Sequence, residues 1–284
     1  MDTLDILPRR VLRALLSLPT EPEEVRLRAG ERPAALLPGQ EEQVLDCPPL
    51  TPDELWRVAE SAAGGSLWSA EGRLRQGCLS LPGGARLGVC GAVTVENGAV
   101  RAFSEISSLC LRLPHQAIGC ARGLEALFEG GFRSTLIVSP PGGGKTTLLR
   151  ELVRILSTGG TRVGLADERG EVAALWNGEP QLAVGPRTDV LSGAPKAEAA
   201  MALLRCMNPQ VVAMDEITES ADVRACLNCL GCGVRLLATA HGADLQDLRR
   251  RALYADMLAE GVFSRCVVIR LRGGTRRYEV TALD

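Results

Sequence analysis

The spacing of apolar residues changes character near Leu113-Pro114 and divides the chain into two differently patterned parts. In the first part, residues 24–46 carry short apolar stretches, Val25-Arg26-Leu27-Arg28 and then 34–37. Gly30, Pro33 and Pro38-Gly39 interrupt them, a pattern that predicts a β-hairpin-like region. Thr51-Pro52-Asp53-Glu54 has the form of a helix start, with Thr51 as N-cap, proline at the first helical position and Glu54 completing a capping box. That helix is predicted to run to Ala63 and stop at Gly64-Gly65. Strands over 77–81 and 85–95 follow, with turns at Pro82-Gly83-Gly84 and Asn97-Gly98.

Beyond residue 113 the pattern predicts a helix over 118–128, ended by Gly130-Gly131. Strands (135–138, 162–166, 211–214, 234–240) then alternate with helices (145–156, 196–207, 221–230). Such alternation implies a parallel sheet with helices on both faces. The expected fold class is therefore α/β: a mostly parallel sheet domain over 113–284, preceded by a smaller α+β domain over 1–112.

Composition narrows the picture. A length of 284 residues suits two domains of about 150 each. With 46% hydrophobic and 23% charged residues, a core of ordinary size is expected. A net charge of −2 and only 3% aromatics oppose a nucleic-acid partner. Met1 to Arg10 carries Asp2 and Asp5 and does not read as a secretory signal, and no run of ~18 apolar residues reads as a membrane span. The ten cysteines are accordingly expected as reduced thiols of a cytoplasmic protein. Cys226, Cys229 and Cys232 have the spacing of a metal or iron–sulfur site. They suit better two small hydrophobes on one helix face and a third thiol at its end.

Candidate chemistry concentrates at two strand ends. The strand over 135–138 runs into Ser139-Pro140-Pro141-Gly142-Gly143-Gly144-Lys145-Thr146-Thr147, and a helix with Leu148, Leu149, Leu152, Val153 and Leu156 on its apolar face follows. Strand, glycine loop, Gly-Lys-Thr and helix form the context of a Walker A motif, or P-loop. Glycines let successive backbone amides point into one concavity that cradles phosphates, and the helix N-terminus adds partial positive charge. Lys145 is expected at the β- and γ-phosphates of ATP and Thr146 at Mg2+, with Pro141 to Thr147 lining the nucleotide. Ser139 stands where the motif has its first glycine.

The strand 211–214 ends in Asp215-Glu216, two acids where burial of charge is costly without a partner or metal. Asp215 is expected to hold the Mg2+ water shell and Glu216 to orient and deprotonate the attacking water. The strand 162–166 lies between the two motifs in sequence, which suggests a sheet with a further strand inserted between the P-loop and Asp215 strands. His241, at the end of strand 234–240, reads as a γ-phosphate sensor or as a histidine bonded to a loop carbonyl. Asp167-Glu168-Arg169 offers a further catalytic carboxylate or a solvated loop. Arg187, in the loop 185–189, reads as an arginine acting on transition-state charge, often supplied by a neighbouring subunit, or as a surface charge.

These residues together resemble a known family. Pro140 to Arg150, Asp167-Glu168-Arg169, Arg187-Thr188-Asp189-Val190-Leu191, Pro195-Lys196-Ala197-Glu198, Asp215-Glu216-Ile217 and Thr239-Ala240-His241-Gly242 are similar to the stage III sporulation AA family, relatives of the secretion-type (type II/type IV) traffic ATPases. Gly83 to Gly91 is also similar, so the likeness spans most of the chain. It implies a RecA-like P-loop ATPase domain behind a smaller N-terminal domain, a homo-oligomeric ring, a hexamer, and functional roles for Glu168, Arg187 and His241. It further implies endospore formation in the mother-cell cytoplasm, peripheral to the forespore membrane through membrane proteins of the sporulation channel complex. The chain departs from the family pattern at Thr218-Glu219, where Gly-Arg is usual, at Gly170, where serine is more frequent, and at Ser139. Two other classes fit the residues: a nucleotide-gated scaffold that docks on a membrane partner with negligible hydrolysis, and a nucleic-acid-stimulated ATPase, which the charge and aromatic content oppose.

Overall fold

The computed structural model describes residues 3–65, 78–96, 99–272 and 275–283. The chain divides into two compact units, Met1–His115 and Gln116–Asp284.

The first unit contains α1 (Arg9–Leu16), β1 (Glu24–Arg28), β2 (Ala34–Leu36), β3 (Glu42–Val44), α2 (Pro52–Ala63), β4 (Cys78–Ser80), β5 (Arg86–Glu96) and β6 (Ala99–Arg112). Its six strands form an antiparallel sheet in the order β3-β2-β1-β6-β5-β4. The hairpin-like region is present, with Val25 opposite Ala35. Val25 and Leu27 alternate inward and pack with Val11, Leu55, Val58, Leu87 and Leu111 in one core. The helix start at Thr51 forms as its residues dictate: the Thr51 hydroxyl accepts from the Glu54 amide, and the Glu54 carboxylate accepts from the Thr51 amide. Gly64 ends the helix at φ 82°. Arg10 also binds Glu54 and holds its carboxyl down at about 2. The expected turn at Asn97-Gly98 lies outside the described residues, as does Gly77, while Pro82–Gly84 forms a single 3-10 turn.

The second unit contains β7 (Thr135–Ser139), α3 (Lys145–Thr158), β8 (Val163–Asp167), β9 (Leu175–Trp176), β10 (Glu179–Pro180) and β11 (Thr188–Ser192). It continues with α4 (Lys196–Cys206), β12 (Val211–Met214), α5 (Ser220–Gly231), β13 (Arg235–His241), α6 (Leu245–Arg249), α7 (Ala252–Ala259), β14 (Arg265–Arg272) and β15 (Thr275–Ala282). β9 and β10 pair only with each other; the other seven strands form one sheet in the order β11-β8-β12-β13-β7-β14-β15. All neighbours in it are parallel except β14 and β15. Leu136 and Val138 face a core with Leu203, Met214 and Cys226, while Ile137 faces Leu149, Leu152 and Leu165 on the other side. Helices therefore cover both faces, and the central strands β7, β8 and β12 are buried along their whole length, as doubly covered strands must be. One strand does separate β7 from β12. It is β13, whereas β8 lies on the far side of β12.

The helix expected over 118–128 does not form. Gly119 and Gly123 adopt φ 84° and 89°, and successive i to i+3 turns (Cys120 amide to Ala117 carbonyl, Leu124 to Ala121, Leu127 to Leu124) replace it. Only a single 3-10 turn, Glu125–Leu127, is regular. Ala121, Leu124 and Leu127 are buried all the same; turns of period three repeat the same face as a helix does. Cys226 and Cys229 are buried in the core on α5, and Cys232 is exposed at its end.

Candidate nucleotide site

Parallel strands place their carboxyl ends along one edge, and ligands of open α/β sheets bind there. Ser139, Asp215 and His241 all lie at that edge of adjacent strands: His241 pairs with Ser139 across β13 and β7, and Met214 pairs with Ala238 across β12 and β13. The glycine loop connects β7 to α3, whose N-cap is Gly144 at φ 95°. Gly142 adopts φ 69°. Residues with a side chain are strained in that region, so these two positions need glycine.

Ser139 is fully buried, and its hydroxyl donates to the Pro140 carbonyl at 3.0 Å. It is absent from the positive-φ residues, so the loop closes without a strained backbone at this position. The hydroxyl takes up space inside the loop instead: a Cβ on Gly143 would lie 1.6 Å from Ser139 Oγ.

Lys145 is buried, and its ammonium donates to the carbonyls of Ser139 (3.0 Å) and Pro140 (3.3 Å), with His241 Nδ1 at 3.4 Å. Burial lowers its pKa, partly offset by the charges of Glu216 and Asp215. His241 Nδ1 is also 3.4 Å from Glu216 Oε1, so the imidazole sits between the lysine and the carboxylate. The Thr146 hydroxyl lies 3.5 Å from both Asp215 oxygens, and Thr239 donates to Asp215 Oδ1 at 3.3 Å. Burial, then the Glu171 charge, push Asp215 above the ordinary carboxylate value, against hydrogen bonds from the Glu216 amide and Thr239.

The sequence-derived residues Lys145, Thr146, Asp215, Glu216 and His241 are thus together. Pro141 to Thr147 form the loop and first helical turn beside them. Glu168 follows β8 at the same edge, but its carboxylate is bound by Lys196 Nζ at 2.8 Å, which lowers its pKa. Lys196 also reaches Thr218 Oγ1 at 3.3 Å and the buried Asp222 at 3.5 Å. Thr218-Glu219 starts α5 through a capping box between Glu219 and Asp222. Asp167 is a loop builder: buried, it accepts the amides of Glu171, Val172 and Ala173.

Arg187 is not brought to this crevice. The next residue, Thr188, pairs with Val163 at the start of β8, so Arg187 lies at the opposite edge of the sheet, about 15 Å away at ~3.3 Å per residue. There its guanidinium donates to the Gly160 carbonyl at 3.0 Å. Spacing did not single out Arg150, Glu171, Thr239 or Arg276. Buried Arg150 donates to the carbonyls of Val172 and Glu171 and braces the loop built on Asp167. Arg276 Nε donates to the Gly143 carbonyl at 3.2 Å.

The donors facing one another at Thr146 and Asp215 are all oxygen, and Asp167 and Glu171 add negative charge around Asp215. Such an excess of carboxylate beside a hydroxyl suits a hard divalent cation such as Mg2+.

This fold recurs in solved structures. The pilus retraction motor PilT, solved with bound ADP, superposes with a TM-score of 0.66 over 98% of this chain and 83% of its own, at 16% identity. The ATPase DotB of Legionella pneumophila gives 0.61 over 93% of this chain and 77% of its own, also at 16% identity. The chain therefore has the α/β fold of secretion and traffic ATPases, with a mixed, mostly parallel sheet and a preceding antiparallel one. The profile of the family described as sporulation stage III, protein AA matches residues 2–279. Stage III sporulation protein AA of Bacillus subtilis (strain 168) is 35% identical over 274 residues, 93% of this chain and 89% of its own. The chain belongs to the stage III sporulation protein AA family.

Proposed function

We propose that this chain binds ATP with Mg2+ at the glycine loop, hydrolyses the γ-phosphate, and works as a ring-forming motor of the secretion-ATPase type in endospore formation. The observation that carries the reading is the convergence of Lys145, Thr146, Asp215, Glu216 and His241 on one strand edge. Bound to nucleotide, Lys145 exchanges the Ser139 and Pro140 carbonyls for β- and γ-phosphate oxygens. Thr146 and Asp215 hold Mg2+, which neutralises developing phosphate charge. Glu216 orients the attacking water and accepts its proton, and His241, bridging Lys145 and Glu216, reports the γ-phosphate to the acid. Glu168, anchored by Lys196, links this edge to the start of α5. Arg187 acts, in this reading, only on the site of a neighbouring copy in a homo-oligomeric ring, a hexamer. The first unit, Met1–His115, serves as the N-terminal domain and the second, Gln116–Asp284, as the ATPase domain, three residues beyond the boundary expected at 112/113. Docking on membrane proteins of the mother cell–forespore channel complex gives the motor its peripheral location; among the described residues no helix is long and apolar enough to cross a membrane.

A Glu216→Gln variant tests the chemistry. It keeps ATP affinity and loses about 10²–10⁴ in turnover; unchanged turnover would remove the assignment. A second reading, a nucleotide-gated scaffold with negligible hydrolysis, is favoured by one observation: Arg187 is absent from the crevice of its own chain. Single-turnover hydrolysis by the wild-type protein separates the two.

A further inference from the structure

The C-terminal hairpin carries a cation onto the glycine loop that no part of the reaction above uses. Val268 of β14 pairs with Val138 of β7, so the residues after Val268 run on beside Ser139 and the loop. β15 returns antiparallel, with Arg276 opposite Leu271. Arg276 Nε donates to the Gly143 carbonyl at 3.2 Å. The guanidinium also lies against Gly144: a Cβ there would be 2.8 Å from Nε and 3.4 Å from Cδ and Cζ. Gly144 is the N-cap of α3. Arg276 is therefore held at the positive pole of a helix, next to buried Lys145, and among the described residues no carboxylate pairs with it. Placing a cation at a helix N-terminus is unfavourable by electrostatics unless an anion occupies the same place.

We infer that Arg276 is a nucleotide-binding residue that grips the α- and β-phosphates from the hairpin side. This rests on the ATP site proposed above. The guanidinium fork matches phosphate oxygens in a bidentate way, and the loop amides beside it cradle those same two phosphates. Asp215 and Glu216 follow β12 and His241 ends β13, on the other flank of β7 from β14 and β15. Arg276 accordingly serves the part of the nucleotide that remains after hydrolysis. ADP and ATP should depend on it equally, and the bond-breaking step should not.

The test is calorimetric titration of the full chain with MgADP and MgATP, with steady-state kinetics on the same samples. Arg276→Gln keeps an amide donor for the Gly143 carbonyl and loses the charge; Arg276→Lys keeps the charge. The expected result is about a 10-fold weaker affinity for both nucleotides in Arg276→Gln, a smaller loss in Arg276→Lys, and kcat at saturation within about two-fold. Equal MgADP affinity in wild type and Arg276→Gln overturns the inference, as does a fall in kcat at unchanged KM. Wild-type protein that binds neither nucleotide would instead overturn the ATP site itself.

Discussion

Replacing Gly143 by alanine probes the departure at the start of the glycine loop. The new Cβ would lie 1.6 Å from Ser139 Oγ, 2.9 Å from Ser139 Cβ and 3.1 Å from the Pro140 carbonyl. Ser139 is fully buried at the end of β7, so its hydroxyl has nowhere to swing without displacing core neighbours. Overpacking of a buried site costs about 1–3 kcal/mol. At roughly 2–4 °C per kcal/mol for a domain of this size, the melting temperature should fall by about 4–8 °C for a 2 kcal/mol loss. Ser139→Gly alone restores the usual first residue of the motif and costs about 0.5–1 kcal/mol as a glycine at a strand end. It also removes both clashing atoms, leaving only the 3.1 Å approach to the carbonyl. The Ser139→Gly/Gly143→Ala double variant should therefore be more stable than Gly143→Ala, with a coupling of about 1–2 kcal/mol. Differential scanning calorimetry of the four proteins measures it. If the two single effects simply add, Ser139 is not what excludes a side chain at 143, and the reasoning fails.

Asp215→Asn should raise the melting temperature of nucleotide-free protein at neutral pH while abolishing any stabilisation by Mg2+ and ATP. Burial and Glu171 raise the folded-state pKa of Asp215, so its contribution is fully present below the unfolded value near 3.8 and lost as pH rises through the higher folded one. The gain should accordingly vanish below about pH 4. In the first unit, Glu54→Gln should lower stability at neutral pH by about 1 kcal/mol, because Arg10 loses its charge partner while the capping box survives. Glu54 is held at about 2, so its contribution is present above the unfolded value near 4.5 and fades as pH falls through about 2; acid-unfolding curves of the two proteins should converge there. Cysteine alkylation of native protein at pH 8 should label exposed Cys90, Cys206 and Cys232. It should spare Cys226 and Cys229, buried thiols raised to about 12 and about 11; mass spectrometry of the digest reads the result.

What the sequence disclosed was local or periodic. The capping box at Thr51 involves residues three apart and forms as read. Strand ends were legible because doubly covered strands are apolar runs that stop abruptly, as at Met214 before Asp215. The 118–128 segment misled because turns of period three bury Ala121, Leu124 and Leu127 on the spacing of a helix. Two glycines inside it, Gly119 and Gly123, were the breakers. Loop assignment did not disclose which edge of the sheet Arg187 occupies; the register of β11 on β8 decides that. The approach of Arg276 to Gly143 joins residues 133 apart in the chain and has no local signature. Glu168 was placed at the right edge, yet its partner Lys196 comes from a helix beyond β11, which no motif spacing connects to it.

Isothermal titration of the full chain with ATP in the presence of Mg2+, against Lys145→Ala as control, tests the central claim most directly. Saturable binding at one site per chain, lost in the variant and weakened when Mg2+ is chelated, is the predicted result. Folded wild-type protein that gives no heat of binding with ATP or ADP would contradict the account.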